Sequence, residues 1–321
     1  MLITIGAFDG FHKGHAELLK VCQQHAINDD WGVVTFYPHP SEFMHRLNHA
    51  LFTLREREFI REVVGIPNYC VLKFDEALKN LTPEKFWALL RERINIDGLV
   101  MGSDFHFGCK RSGSAESLKA LAEFQGLTNV HIVDVVNKAS YSSSMVREKI
   151  LAGDITSANE ILGYNWFMIN SVIHGNERGR TMNFPTANLQ LAQTCITPAY
   201  GVYSVALLFN HEWHCGALSI GNNPTFHDVN ETRAEVHILD FSGDIYGDEI
   251  ATFFLGRVRD VHTFANKQEL INQIELDINE CRNIYKEVFN GSRQDSVKFF
   301  ERAEKVYYSQ TKLIPEIITL T

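Results

Sequence analysis

The residues with the plainest chemical promise are two histidines set three apart in a glycine-bounded string, Gly6-Ala-Phe-Asp-Gly-Phe-His-Lys-Gly-His15. The string follows a short apolar run, Leu2–Ile5, and opens a helical pattern at Gly14. Backbone N–H groups and the positive end of the helix dipole therefore converge on one spot, a geometry that suits a phosphate. His12 and His15 can donate hydrogen bonds to phosphate oxygens as charge builds during a displacement. The glycines allow tight turns and close backbone approach. A second centre is Phe184-Pro-Thr-Ala-Asn188. In an extended segment Thr186 and Asn188 project to the same face and offer hard oxygen ligands for Mg²⁺, with phosphates completing the shell. Upstream, Gly175-Asn-Glu-Arg-Gly-Arg180 is a basic, glycine-containing loop able to approach phosphate closely.

Two kinds of scaffold must position these groups. From residue 2 to residue 136 strand-like and helix-like stretches alternate: Leu2–Ile5, Gly14–His25, Gly32–Tyr37, Glu56–Val64, Tyr69–Phe74, Pro83–Ile94, Gly98–Met101, Ala115–Phe124 and His131–Val136. Repeated β-then-α order predicts a parallel sheet with helices on both faces, whose ligands bind at the carboxyl ends of the strands. Helices over Ser144–Leu151 and Thr156–Leu162 lead to an expected boundary near Gly163. Then come short β-type runs split by turn residues: Phe167–Ile173, Thr186–Leu191, Gly201–Phe209, Trp213–Ile220, Glu235–Leu239 and Ile250–Phe254. That density predicts a small antiparallel barrel. Leu270, Ile274, Ile278, Cys281, Tyr285 and Phe289 recur at helical spacing up to Asn290-Gly291, and a second amphipathic helix spans Gln294–Gln310.

Composition narrows the class. At 321 residues the chain is long enough for two cores. Apolar residues are 45% and charged residues 21%, a globular balance. Lys+Arg 30 against Asp+Glu 39 leaves a net charge of −9, which argues against broad nucleic-acid binding. Six cysteines occur without a CxxC pair, which excludes the usual zinc-ribbon and redox motifs and suggests reduced thiols in the cytoplasm. The most apolar run, Ala199–Phe209, is too short to span a bilayer, and no secretory signal is read.

The strand followed by the Gly6–His15 string resembles the nucleotidylyltransferases that move AMP or CMP onto a phosphate acceptor. Thr35-Phe-Tyr-Pro-His-Pro40, Gly102-Ser-Asp-Phe-His-Phe-Gly108 with Lys110-Arg111, and Ser142-Ser-Ser-Met-Val-Arg147 occur in the order and at the spacing of the bacterial bifunctional riboflavin kinase/FAD synthetases. The resemblance covers roughly residues 1 to 285 and is joined by Phe184–Asn188, Gly221-Asn-Asn-Pro-Thr-Phe226 and Ala234–Phe241. It implies a Rossmann-like nucleotidyltransferase domain (1–163) followed by a six-stranded β-barrel kinase domain with a closing helix (164–290). The extension 291–321 matches no family pattern and reads as a packing or oligomer surface.

The resemblance also implies roles. ATP phosphates of the first domain would sit on Gly6, Phe8, Asp9, Gly14, Ser142, Ser143 and Ser144, with His12, His15 and Arg147 acting on the reacting phosphate. Flavin would contact Pro38, His39, Pro40, Asp104 and Phe107. In the second domain Thr186 and Asn188 would hold Mg²⁺, and Gly175, Gly179 and Arg180 would hold ATP. Glu235 would be the general base toward the flavin's primary hydroxyl, and Asp277 would help close the flavin slot. Riboflavin, FMN, FAD and ATP are then substrates or products, with Mg²⁺ as cofactor and no nucleic acid or membrane as partner. Departures from the family pattern fall at Ala7, Ser103, His106, Ser144 and Asn183. His237, on the face of Glu235, is given no role. A single-activity enzyme, a flavin or nucleotide sensor and a cytidylyltransferase remain alternatives, and the oligomeric state is left open.

Overall fold

The computed structural model describes all residues except 46–48, 135–140, 175–183, 223–231, 291–293, 310–316 and 319–321. Its strands are β1 Leu2–Ile5, β2 Trp31–Tyr37, β3 Asn68–Lys73, β4 Gly98–Gly102, β5 His106–Phe107, β6 Gly113–Ser114, β7 Asn129–Val133, β8 Phe167–Ile173, β9 Ala187–Leu189, β10 Gly201–Phe209, β11 Glu212–Asn222, β12 Thr232–Ile238, β13 Glu249–Asp260 and β14 Ile317–Ile318. The helices are α1 Lys13–His25, α2 Pro40–Phe43, α3 Leu54–Val64, α4 Glu76–Lys79, α5 Pro83–Arg93, α6 Ala115–Phe124, α7 Ser143–Leu151, α8 Ile155–Leu162, α9 Lys267–Asn290 and α10 Gln294–Ser309. Two compact units result, Met1–Ser143 with Thr311–Thr321, and Ser144–Gln310.

The first unit is a parallel sheet in the order β14-β3-β2-β1-β4-β7. Its inner strands are short and almost wholly buried, as strands covered on both faces must be. Ile3, Ile5, Val34, Phe36, Leu99 and Met101 share one core with Phe86, Trp87 and Leu90 of α5 and Leu118 of α6. β7 begins two residues before the predicted His131, and two features are added to the predicted elements: the small β5–β6 hairpin, and β14, which pairs with β3.

The second unit is a closed antiparallel barrel in the order β10-β11-β12-β9-β8-β13. All nine residues of β10 are buried, because its outer side lies under α9, where the Ser204 hydroxyl donates to the Cys281 carbonyl at 3.0 Å. β13 runs six residues beyond the predicted Ile250–Phe254. Gly256, Arg257 and Arg259 interrupt its apolar pattern, yet Arg257 bonds the Tyr200 carbonyl and Arg259 bonds Asp277. α8 joins the barrel through Asn159, whose amide donates to Phe254 O at 2.9 Å and accepts from Trp166 N at 2.8 Å. α10 sets Phe300 against Phe289, Trp213 and Phe253, so its apolar stripe is consumed by packing within the unit.

Candidate active sites

In the first unit β1 lies between β2 and β4, so Gly6–His15, Pro38–Pro40 and Ser103–Phe107 all leave the same carboxyl edge of the sheet. Gly6 is tied to β2 by its N–H on Val34 O, 3.0 Å. Phe8 and Phe11 take left-handed φ values of 45° and 40° and are buried beneath the loop. His12 caps α1, and its ring stacks on that of His15 with centroids 3.7 Å apart. The pair packs so tightly that a Cβ on Gly14 would lie 3.1 Å from the His12 ring and from Tyr141 O. Burial drives the His12 imidazole down to about 4. Burial, then the charges of His12 and Arg57, hold His15 well below the ordinary histidine value. Both rings are therefore neutral near pH 7, each with one N–H to donate, and His15 Nδ1 is buried with no hydrogen-bond partner.

Asp9 turns inward: its carboxylate accepts from Leu51 N at 3.2 Å, and its carbonyl accepts from the Ser143 hydroxyl at 2.6 Å. That last bond brings the glycine string and the serine string together at the start of α7. Ser142 is half-buried beside it. Ser144 is exposed and Arg147 half-buried on α7. His39 caps α2 by accepting from Ser41 N at 3.1 Å, between half-buried Pro38 and Pro40. Asp104 is exposed in the turn after β4. Phe107 points the other way, buried against Phe105 and Phe86.

In the barrel, register does the positioning. Glu235 on β12 stands directly opposite Asn188 on β9, a cross-strand relation that puts side chains next to each other on one face. Their strand neighbours Ala234, Val236, Ala187 and Leu189 are buried, while Glu235 and Asn188 keep some exposure. Thr186 lies just before β9, on the same face. Two hard oxygens with an adjacent carboxylate form a donor set that fits Mg²⁺ and leaves most of its shell to phosphates and water. A cavity of about 250 Å³ opens at Thr186, lined also by Val236, Phe241 and Tyr246; Asn188 and Glu235 are not part of its lining. Gly175, Gly179 and Arg180 lie outside the described residues.

Two side chains carry roles that the sequence pattern hid. His237 was given none, yet its Nδ1 lies 2.7 Å from Pro185 O and its ring meets Phe184 edge-on. A carbonyl only accepts, so that nitrogen carries the proton. Asp277 was read toward flavin, yet its buried carboxylate receives Arg259 Nε and Nη2 at 2.8–3.0 Å and Gln273 at 2.9 Å.

A FAD synthetase family model matches residues 1–146 and a riboflavin kinase family model matches residues 162–285. The bifunctional riboflavin kinase/FMN adenylyltransferase of Listeria monocytogenes is 33% identical over 88% of this chain and 92% of its own. The chain belongs to that family. The Bacillus subtilis member is likewise 33% identical, over 87% and 91% of the two chains. A solved structure described as a macrolide-efflux protein from Streptococcus pneumoniae superposes with a TM-score of 0.80 at 33% identity, covering 88% of this chain and 93% of that one. Among the described residues no helix is long and apolar enough to cross a membrane.

For a riboflavin kinase/FMN adenylyltransferase the division of residues is orderly. Gly6–His15 and Ser142–Ser144 fall in the FAD synthetase match, and Thr186, Asn188, Glu235 and Asp277 in the riboflavin kinase match. Arg57 was missed altogether. Arg55-Glu-Arg-Glu58 puts four charges in a row on α3, and four successive residues sweep the whole circumference of a helix. One or more had to face inward, and Glu56, Arg57 and Glu58 are all buried.

Proposed function

We propose that the chain makes FAD in two steps at two sites: it phosphorylates riboflavin to FMN with ATP on the barrel, and transfers AMP from a second ATP to FMN at the sheet edge. What carries the proposal is that each unit, matched by its own family model, has a separate group of phosphate-suited side chains.

On the barrel, Glu235 takes the proton of the ribityl 5′-hydroxyl as that oxygen attacks the γ-phosphorus and ADP leaves. Thr186 and Asn188 would hold Mg²⁺, which when bound neutralises phosphate charge. Gly175, Gly179 and Arg180 would approach the ATP phosphates. Asp277 acts at one remove, keeping α9 on the end of β13 through Arg259.

At the sheet edge, the FMN phosphate attacks the α-phosphorus and pyrophosphate departs, so no protein nucleophile is needed. The Gly6–Gly14 backbone, Ser142 and Ser143 cradle the triphosphate. His12 and His15 donate to its oxygens as negative charge builds. Pro38, His39, Pro40 and Asp104 flank the flavin, and Phe107 supports that loop from the core. Six free cysteines fit the cytoplasm as the place of action. Separate variants test the two sites: Glu235→Gln should stop FMN formation while FAD still forms from FMN, and His15→Ala should do the reverse. One substitution that stops both steps would refute the assignment.

A further inference from the structure

We propose that Arg57 is a positioning residue for adenylyl transfer, its guanidinium fixing the phosphate loop to the end of β2 and setting a permanent positive charge behind the histidine pair. The inference rests on the reading of Gly6–His15 as the site of that reaction.

The geometry is specific. Arg57 is 2% exposed. Its Nη1 donates to Phe36 O at 3.0 Å, and its Nη2 donates to Ala7 O at 2.8 Å and to the Thr35 hydroxyl. The Thr35 hydroxyl itself donates to Ala7 O at 2.9 Å, so the second residue of the loop is held twice. A planar fork with fixed donor directions makes such a clamp, and a lysine ammonium does not.

The charge needs its own explanation. Among the described residues no carboxylate lies within ion-pair distance of Arg57; the adjacent Glu58 is turned to Arg61. Arg57 Nε is also buried without a hydrogen-bond partner. A buried cation with no counter-ion is destabilising, and neutral donors could tie the same carbonyls at less cost. The penalty is offset when an anion arrives above the loop, where the developing phosphate charge would stand. Arg57 also acts on His15, whose proton it repels. The His15 ring is kept neutral, and the permanent positive charge behind it is that of Arg57.

The test follows FAD formation from FMN and ATP in the full chain, with FMN formation from riboflavin as an internal control, for Arg57→Lys and Arg57→Gln. Losing the clamp should lower kcat about 100-fold in Arg57→Gln, the scale of a small misplacement of reacting groups. With the repelling charge gone, the histidine limb of its pH profile should move to higher pH. Arg57→Lys keeps the charge without the fork, so its rate should fall while that limb stays in place. FMN formation should be unchanged in both. Wild-type FAD formation in Arg57→Lys would overturn the clamp, and an unmoved pH limb in a folded Arg57→Gln would overturn the charge. Intact FAD formation in His15→Ala would sink the site assignment itself, and the role of Arg57 with it.

Discussion

Removing the Asp277 carboxylate should loosen α9 from the barrel by an amount the structure allows to be worked out. The carboxylate side chain is 6% exposed and the Arg259 side chain 19%. Three arginine contacts and the Gln273 amide converge on its two oxygens. Breaking one partner of a buried pair costs about 3–5 kcal/mol, because the other charge is left uncompensated. Arg259 keeps some access to water and also donates to Asp260 O at 2.9 Å, so Asp277→Ala should fall at the low end, about 3 kcal/mol. For a unit of this size that is a fall in Tm of roughly 6–12 °C, measurable by thermal or denaturant unfolding. The double variant Arg259→Met/Asp277→Leu should recover most of the loss, since neither charge is then stranded. A single variant within about 0.5 kcal/mol of wild type would refute the reasoning, as would a double variant no more stable than the single.

Acid should weaken the first unit. The unfolded chain takes up a proton at His12 near 6.5, while the folded unit does so only near 4. Stability is therefore fully present above 6.5 and lost as pH falls through that window, by roughly 3 kcal/mol for this group; a pH-independent midpoint between 6.5 and 4 would contradict it. Changing His237 to Phe should keep the contact to Phe184, lose the bond to Pro185 O, and raise the KM for Mg-ATP in FMN formation about tenfold. His237→Asn, which can still donate, should fall between, and equal KM values for both variants would remove the hydrogen bond from the account. Phe300→Ala should destabilise the barrel by about 4 kcal/mol, because its ring, 2% exposed, sits 4.8 Å from that of Phe289 and 5.0 Å from that of Trp213. A loss under about 1 kcal/mol in denaturant titration would mean that α10 is not part of the core.

The alternating apolar runs of the first half and the short strands of the second were legible because burial imposes a period on each element. The closeness of His12 to His15 follows from their spacing at a helix start, and the structure stacks their rings; the roles given to them and to Asn188 and Glu235 are proposals. Contacts made across the fold were not legible. Asp277 was singled out by resemblance for the flavin slot, and nothing in its own helix shows that the end of β13 brings Arg259 to it. Arg57 sits in a charged run that reads as solvated surface until the helix circumference is counted. His237 looked idle because its partner is a backbone carbonyl, which no side-chain pattern reports. The β14 pairing was invisible for a similar reason, since a short apolar run at the end of the chain does not report which strand it will pair with.

The most direct test of two sites working in series is a time course of flavin products, separated by chromatography, from purified protein given riboflavin, ATP and Mg²⁺. FMN should appear first and then fall as FAD accumulates, and a parallel reaction started from FMN should give FAD without the lag. FMN that never becomes FAD, FAD that forms only when FMN is supplied, or no product from either start would contradict an enzyme that carries both activities.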